Sequence, residues 1–353
     1  MCAGERPVLS AMVAVALAAV GVTPHAGASP AVQLPKPVRL TIAASGDFLI
    51  HSPVYSRALA NGGGARYDFA PMFKPVRPWI AGADLALCHV ETPLVPGPPA
   101  GYPSFRTPPD LAAAIRSTGW DACSTASNHS LDAGQPGIDS TIAALRRAPV
   151  SFDGTARSPR GRRRFPILER RGVRVAFLSY TTLTNGQAIP HPWSLNFAGP
   201  RTILADARRA RRRGADAVIV NLHWGAEFQS RVTPEQLALA RRLTRSVAVT
   251  AIVGQHVHVV QPIRRVNGKI VVFGEGNLIS NQSGACCPTA SQDGLIALLR
   301  LISDGRGTRV RRAGYLPIWV RRPDYAVVPA PPDSWQRTVA VVGRRPYLKP
   351  IAP

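Results

Sequence analysis

The sequence predicts an α/β fold, and three observations predict it. Short aliphatic or β-branched runs recur along the chain: Arg39–Ala44, Asp84–Cys88, Asp121–Ala126, Arg174–Tyr180, Asp216–Leu222 and Val249–Val253. Stretches with helical spacing lie between most of them, as in parallel βαβ units. Five of these runs end in polar residues, at the strand termini where open α/β sheets build their sites. At 353 residues, 45% hydrophobic and 18% charged, the chain can bury a full core as one large domain or two.

Taken in order, Arg39–Ala44 is a buried strand ending at Ser45-Gly46-Asp47, with His51 four residues on. Phe69–Ile80 reads as a helix broken by prolines. The second strand leads into His89-Val90-Glu91-Thr92-Pro93, and residues 97–109 form a proline-rich loop. Asp110 is placed to cap a helix through Thr118. The third run delivers Ser127-Asn128-His129, and a helix covers Ile138–Arg147. Arg157–Arg164 reads as a solvated basic loop, and residues 184–200 as a long loop of the kind that borders sites. Gly214 ends a helix over Thr202–Arg213. The next strand brings in His223-Trp224-Gly225-Ala226-Glu227, and Thr233 caps a helix over Pro234–Ser246. Asn267-Gly268 marks a type I′ hairpin, and Gly294–Ile302 and Arg309–Val320 read as antiparallel strands. Residues 323–353 read as a proline-rich tail.

The net charge of +23 is compatible with a polyanion as partner. Only four basic residues are lysines (Lys36, Lys74, Lys269 and Lys349), and no nucleic-acid motif accompanies the arginines, so nucleic acid is not the expected partner. Arg6, an apolar stretch over Val8–Val22 and Ala26-Gly27-Ala28 have the layout of a secretory signal. The expected organisation is a signal at 1–28, a linker at 29–37, one domain at 38–322 and the tail, with the mature chain outside the cytoplasm or associated with the envelope. Beyond the signal remain Cys88, Cys123, Cys286 and Cys287, an even number that permits disulfides. Cys88 and Cys123 lie on apolar runs, where a bridge between neighbouring strands and a pair of buried thiols are equally open readings.

The polar strand ends form a constellation: Asp47, Glu91, Asn128, His223 and the His256/His258 pair. In an extended segment His256 and His258 share a face. Oxygen and imidazole donors without a thiolate suit two divalent ions, Mn²⁺, Zn²⁺ or Fe, about 3.5–4 Å apart and able to activate a water.

The ordered set Gly46-Asp47, Glu91-Thr92-Pro93, Asn128-His129-x-x-Asp132-x-Gly134, His223-Trp224-Gly225-x-Glu227, Gly254-x-His256-x-His258-Val259-x-Gln261-Pro262 and Gly276-Asn277 resembles the poly-γ-glutamate capsule biosynthesis protein (CapA) family. That family is similar to the calcineurin-like metallophosphatases. The resemblance implies a four-layer αββα sandwich of two mixed sheets, with metal-ligand roles on Asp47, Glu91, Asn128, His223, His256 and His258. It implies that His129 protonates a leaving group or holds substrate, with Asp132 orienting it. His51, Glu227 and Asn277 are candidates for a supporting role behind the ligands. The chain departs from the family in having His89-Val90-Glu91 for Asn-Leu-Glu and Gln255 for His. It also has Ser127 for Asn and Gly274-Glu275-Gly276-Asn277 for Ser-Leu-Gly-Asn.

The function implied is an exported metal-dependent hydrolase or transferase in capsule or cell-envelope polymer biology. Metal-activated water would attack a phosphoester or a γ-glutamyl amide, with an anionic polymer such as poly-γ-glutamate as substrate. The alternatives are a polyanion-binding scaffold in a membrane-bound synthesis complex and a small-molecule phosphoesterase.

Overall fold

Alternation along the strands sorts the core into three apolar layers. In β1 (Val38–Phe48), Leu40, Ile42 and Ala44 face one way, and in β2 (Leu85–Val90) so do Leu85 and Leu87. They meet Val173, Val175 and Phe177 of β6 (Val173–Thr181), Ala217 and Ile219 of β7 (Ala217–His223), and Ala251 and Val253 of β8 (Ala251–Gln255). This shared layer lies between two sheets. The opposite face of the first sheet (Ala43, Ala86, Cys88) packs under the helices Ser52–Asn61, Ala70–Phe73, Arg77–Ala81 and Leu111–Thr118. The opposite face of the second (Val218, Val220, Ile252) packs against Pro200–Arg212 and Pro234–Thr244. The computed structural model thus has the expected αββα layering. It describes residues 1–4, 7, 10–12, 14, 16, 36–197 and 199–352, so the signal motif at 26–28 and most of the linker lie outside the described residues.

The first sheet runs β14-β13-β12-β1-β2-β3-β4, with β11 beside β1 and β15 beside β13. Its further strands are β3 (Ala122–Ser124), β4 (Ser151–Asp153), β11 (Asn277–Ile279), β12 (Asp293–Asp304), β13 (Gly307–Arg321), β14 (Ala326–Pro329) and β15 (Leu348–Pro350). β1 to β4 are parallel, whereas β12 joins β1 antiparallel. The second sheet runs β5-β6-β7-β8-β10-β9, with β5 (Ile167–Arg170), β9 (Ile263–Val266) and β10 (Lys269–Val272). Both are mixed sheets. Asn267 and Gly268 have φ of 47° and 78°, the two left-handed residues that a type I′ hairpin between β9 and β10 requires. Thr233 caps the helix Pro234–Thr244 in a capping box with Gln236.

Four expectations need correction or completion. Asp110 precedes its helix but its side chain caps nothing, because the residue is already in a helical conformation (φ −56°, ψ −24°). The basic segment Arg157–Arg164 contains a short helix, Pro159–Arg162, because Ser158 accepts a hydrogen bond from the Gly161 amide. The segment after Arg322 is no loose tail: β14, the helix Pro332–Val342 and β15 complete the first sheet and its cover. Pro332 stands at the helix start and Pro329 and Pro350 at strand ends, positions that tolerate them, and Val327 and Leu348 are fully buried. Cys88 and Cys123 face each other across β2 and β3 with Cα atoms 4.4 Å apart and are bridged as a disulfide.

Asp153, at the end of β4, is buried and accepts a hydrogen bond from the Ser179 amide at 2.7 Å. Burial pushes its carboxyl up to about 7 despite that bond. The folded state therefore holds a proton that the unfolded chain has released, so stability declines as pH rises from about 4 to about 7 and then levels off. Asp153→Asn keeps an acceptor without the charge. Its Tm should equal that of the wild type near pH 4 and exceed it by a few degrees at pH 8, as thermal melts across that range would reveal.

Candidate metal centre

The carboxyl ends of β1, β2, β3, β7 and β8 converge at one end of the inter-sheet layer. β1 needs a correction of parity to take part. Its inward residues are the even-numbered Leu40, Ile42 and Ala44, so an uninterrupted strand would turn Asp47 outward. The pairing with β2 shifts register between Ala44 and Asp47, and this bulge turns Asp47 inward. Gly46 makes the irregularity possible, because a Cβ there would overlap the Gly276 carbonyl oxygen. That carbonyl accepts the Asp47 amide at 3.1 Å, and the Trp120 indole donates to Ser45 Oγ at 3.1 Å.

His256 and His258 also reach the site by a route other than the expected one. β8 stops at Gln255, and the two histidines follow in left-handed conformation with φ of 91° and 56°. A turn, not the pleat of a strand, aims them. Two non-glycine residues held this way within three positions amount to backbone strain of about 1–3 kcal/mol each, a cost typical of functional sites.

The six expected ligands come together, all buried to 5% exposure or less. Asp47 lies 3.3 Å from His258 Nδ1 and accepts the His256 amide at 3.3 Å. Glu91 Oε1 is 3.7 Å from His258 Nε2 and 4.0 Å from His223 Nε2. Asn128 Oδ1 is 2.8 Å from His223 Nε2, and the His223 and His256 rings are 4.6 Å apart. Donor atoms of Asp47, Glu91 and His258 lie within 4.8 Å of one another. So do those of Asp47, His89 and His223, and those of Glu227, His256 and His258.

The electrostatics fit a cation. Neither Glu91 carboxylate oxygen has a hydrogen-bond partner among the described residues, nor do Nδ1 of His223 and Nδ1 of His256. Burial pushes the Glu91 carboxyl well above its ordinary range, and pulls His256 down to about 3 and His223 lower than usual. Burial also pulls on His258, but the Glu91 and Asp47 carboxylates overcome it and hold His258 at about 9. Burying the Asp47 and Glu91 carboxyl groups is costly unless positive charge sits among them, a role the His258 proton plays in the metal-free site and one that a divalent ion held by these oxygen and nitrogen donors would take over.

The remaining candidates divide. His129, 7% exposed, has Nδ1 2.8 Å from Asp132 Oδ2, so the expected orienting contact is present. Asp132 also accepts the Phe105 amide and the Gln187 amide group, which ties two loops to the rim. Asn277 pairs with Asp47 in register across β11 and β1 and accepts from His258 Nδ1 at 3.0 Å, which leaves Nε2 facing Glu91. Glu227 is exposed but within reach of His256 and His258. His51 belongs to none of the three groupings; its Nδ1 accepts the Asn281 amide at 3.2 Å.

Residues 41–282 match the bacterial capsule synthesis protein PGA_cap family. The chain belongs to this family. It is 28% identical over 256 residues to a capsule biosynthesis protein CapA of Bacillus anthracis, covering 69% of this chain and 60% of that protein. It is 24% identical over 206 residues to a PGA biosynthesis protein CapA of Bacillus subtilis, covering 58% and 53%. The matches thus span less than two thirds of either Bacillus protein. Among solved structures, the calcineurin-like phosphoesterase YfkN of Bacillus subtilis matches with a TM-score of 0.53 at 16% identity, covering 86% of this chain and 96% of that one. That likeness shows the metallophosphatase fold.

Some of the segments that carry the PGA_cap resemblance turn out to brace the site. Trp224 is buried, donates to the Phe273 carbonyl at 2.8 Å and stacks on that ring, while Gly225 turns the chain at φ 97°. Gln261 is fixed by Gln236 and the carbonyls of Gln229 and Arg231. Sequence reading does not single out Asn185, which accepts from Asn128 Nδ2 at 3.1 Å; Gln255 and Glu275, marked there only as departures from the family pattern, form a buried pair 2.7 Å apart. Asn185 lies in the loop at 184–200, where only the loop as a whole was marked, with no residue singled out.

Proposed function

We propose that this PGA_cap protein is a metal-dependent hydrolase or transferase acting on an anionic polymer of the cell envelope. One observation carries the reading: six donor side chains from five strand ends converge in a buried site whose Glu91 oxygens have no hydrogen-bond partner among the described residues. Asp47, Glu91 and His258 would hold one divalent ion, and Asn128, His223 and His256 a second. Such ions would supply positive charge at the reacting group and an activated water. Glu91 stands between the two groups and would be shared. Asn277 holds His258 in the tautomer that leaves Nε2 free, and Asn185 turns the Asn128 oxygen toward His223. His129 would deliver a proton to the leaving group, with Asp132 fixing its ring.

The polymer reading draws on the capsule-synthesis relatives and on charge. A cavity of about 730 Å³ away from the ligands is lined by Arg146, Arg157, Arg160 and Arg164, a cationic surface suited to repeated carboxylates or phosphates. An extracytoplasmic setting agrees with the buried disulfide and with a capsule role. No helix among the described residues is long and apolar enough to cross a membrane. The test is hydrolysis of bis(p-nitrophenyl) phosphate and shortening of poly-γ-glutamate, each with Mn²⁺ and with chelator. Turnover that requires the metal is expected. Salt-sensitive polymer retention without turnover would instead establish a scaffold.

A further inference from the structure

His89 is a histidine at this site that stands outside the set of Asp47, Glu91, Asn128, His223, His256 and His258. Its location follows from the alternation of β2: Leu85 and Leu87 face the inter-sheet layer, whereas Ala86, Cys88 and Val90 face the helices. His89 and Glu91 therefore share the inner face. β2 also places His89 opposite Asp47 on β1 in parallel register. The His89 ring is fully buried, with Nε2 3.7 Å from Asp47 Oδ1 and its centroid 4.8 Å from that of His223. Neither of its nitrogens has a hydrogen-bond partner among the described residues.

A histidine retained for packing keeps at least one ring nitrogen hydrogen-bonded, because an unmet buried polar group costs about 1–3 kcal/mol. His89 has two unmet nitrogens, and one of them faces a carboxylate and a second imidazole whose donor atoms lie within 4.8 Å. That is the surrounding of a ligand. We propose that His89 is an additional metal ligand, bringing a fourth imidazole to the centre beside Asp47 and His223. This rests on the metal-centre reading above and adds a donor to it. With the extra imidazole the site shifts toward nitrogen ligation, which favours Zn²⁺ or Fe²⁺ over Mg²⁺.

Two measurements test this. Wild-type protein labelled with ¹⁵N at histidine is titrated with Zn²⁺, and the imidazole rings whose nitrogen signals move to metal-bound positions are counted. Four such rings are expected (His89, His223, His256 and His258). Three would remove His89 from the centre and leave the rest standing, whereas none would overturn the metal centre itself. In parallel, His89→Asn is compared with wild type by chelator competition. Zinc affinity at least about tenfold weaker is expected, the scale of loss on removing a group that supports or binds the metal. The metal-free variant should melt within a few degrees of wild type. Equal affinity in the two proteins would make His89 a packing residue and overturn the proposal. Because the ring count uses only wild-type protein, a variant that fails to fold does not remove the test.

Discussion

Asp47→Ala is expected to remove at least one metal ion per chain and to lower metal-dependent turnover by about 10³-fold or more, since the metal's effect on a water's acidity spans several pH units. Asp47 is the hub of the geometry. It stands 3.3 Å from His258, 3.7 Å from His89, and opposite Asn277 in register. The alanine also frees the His256 amide, which now donates to the carboxylate at 3.3 Å, so the left-handed turn that aims both histidines loses an anchor. Asp47→Asn retains an acceptor for that amide but not the charge. It should recover thermal stability relative to alanine while remaining depleted of metal. Elemental analysis after desalting, beside thermal melts, separates the two effects. Metal content equal to wild type in both variants would contradict the ligand assignment.

His129→Ala should behave in the opposite way, keeping the full metal content while turnover falls by about 10²–10⁴-fold. The ring belongs to none of the three ligand groupings and is packed edge-on against Phe105 with centroids 4.8 Å apart. Protonating a leaving group matters most when that group is a poor one. The loss should therefore be large for an alkyl phosphoester or an amide and much smaller for a p-nitrophenyl ester. Asp132→Asn should show the same leaving-group pattern at a smaller magnitude, because it disturbs the orientation of His129 without removing the ring. A uniform loss across leaving groups would assign His129 to substrate binding.

The strand ends were legible because burial and alternation leave a direct trace in sequence: an aliphatic run followed by Asp, Glu, Asn or His is unusual unless the end of the run faces a site. The hairpin at Asn267-Gly268 and the cap at Thr233 were legible for a similar reason, since both rest on interactions between residues close in sequence. What escaped depends on distant partners. The bulge that turns Asp47 inward arises where Gly46 passes the Gly276 carbonyl, 230 residues further on. The left-handed backbone at His256 and His258 looks like an ordinary strand continuation in a one-dimensional pattern, and only the structure shows a turn doing the same work. His89 was visible as a departure from the family pattern, yet the His-x-Glu spacing it shares with Glu91 is the same alternation argument applied to His256 and His258. The segment after Arg322 read as a tail because its prolines mask a short strand-helix-strand sequence whose docking surface lies on β13.

The central claim, that these strand ends hold divalent ions, is tested most directly by anomalous diffraction from crystals of the protein grown with Mn²⁺. Two peaks are expected inside the shell formed by Asp47, Glu91, Asn128, His223, His256 and His258, with Glu91 contacting both. Peaks only on surface carboxylates, or none at the strand ends under saturating Mn²⁺ or Zn²⁺, would contradict it.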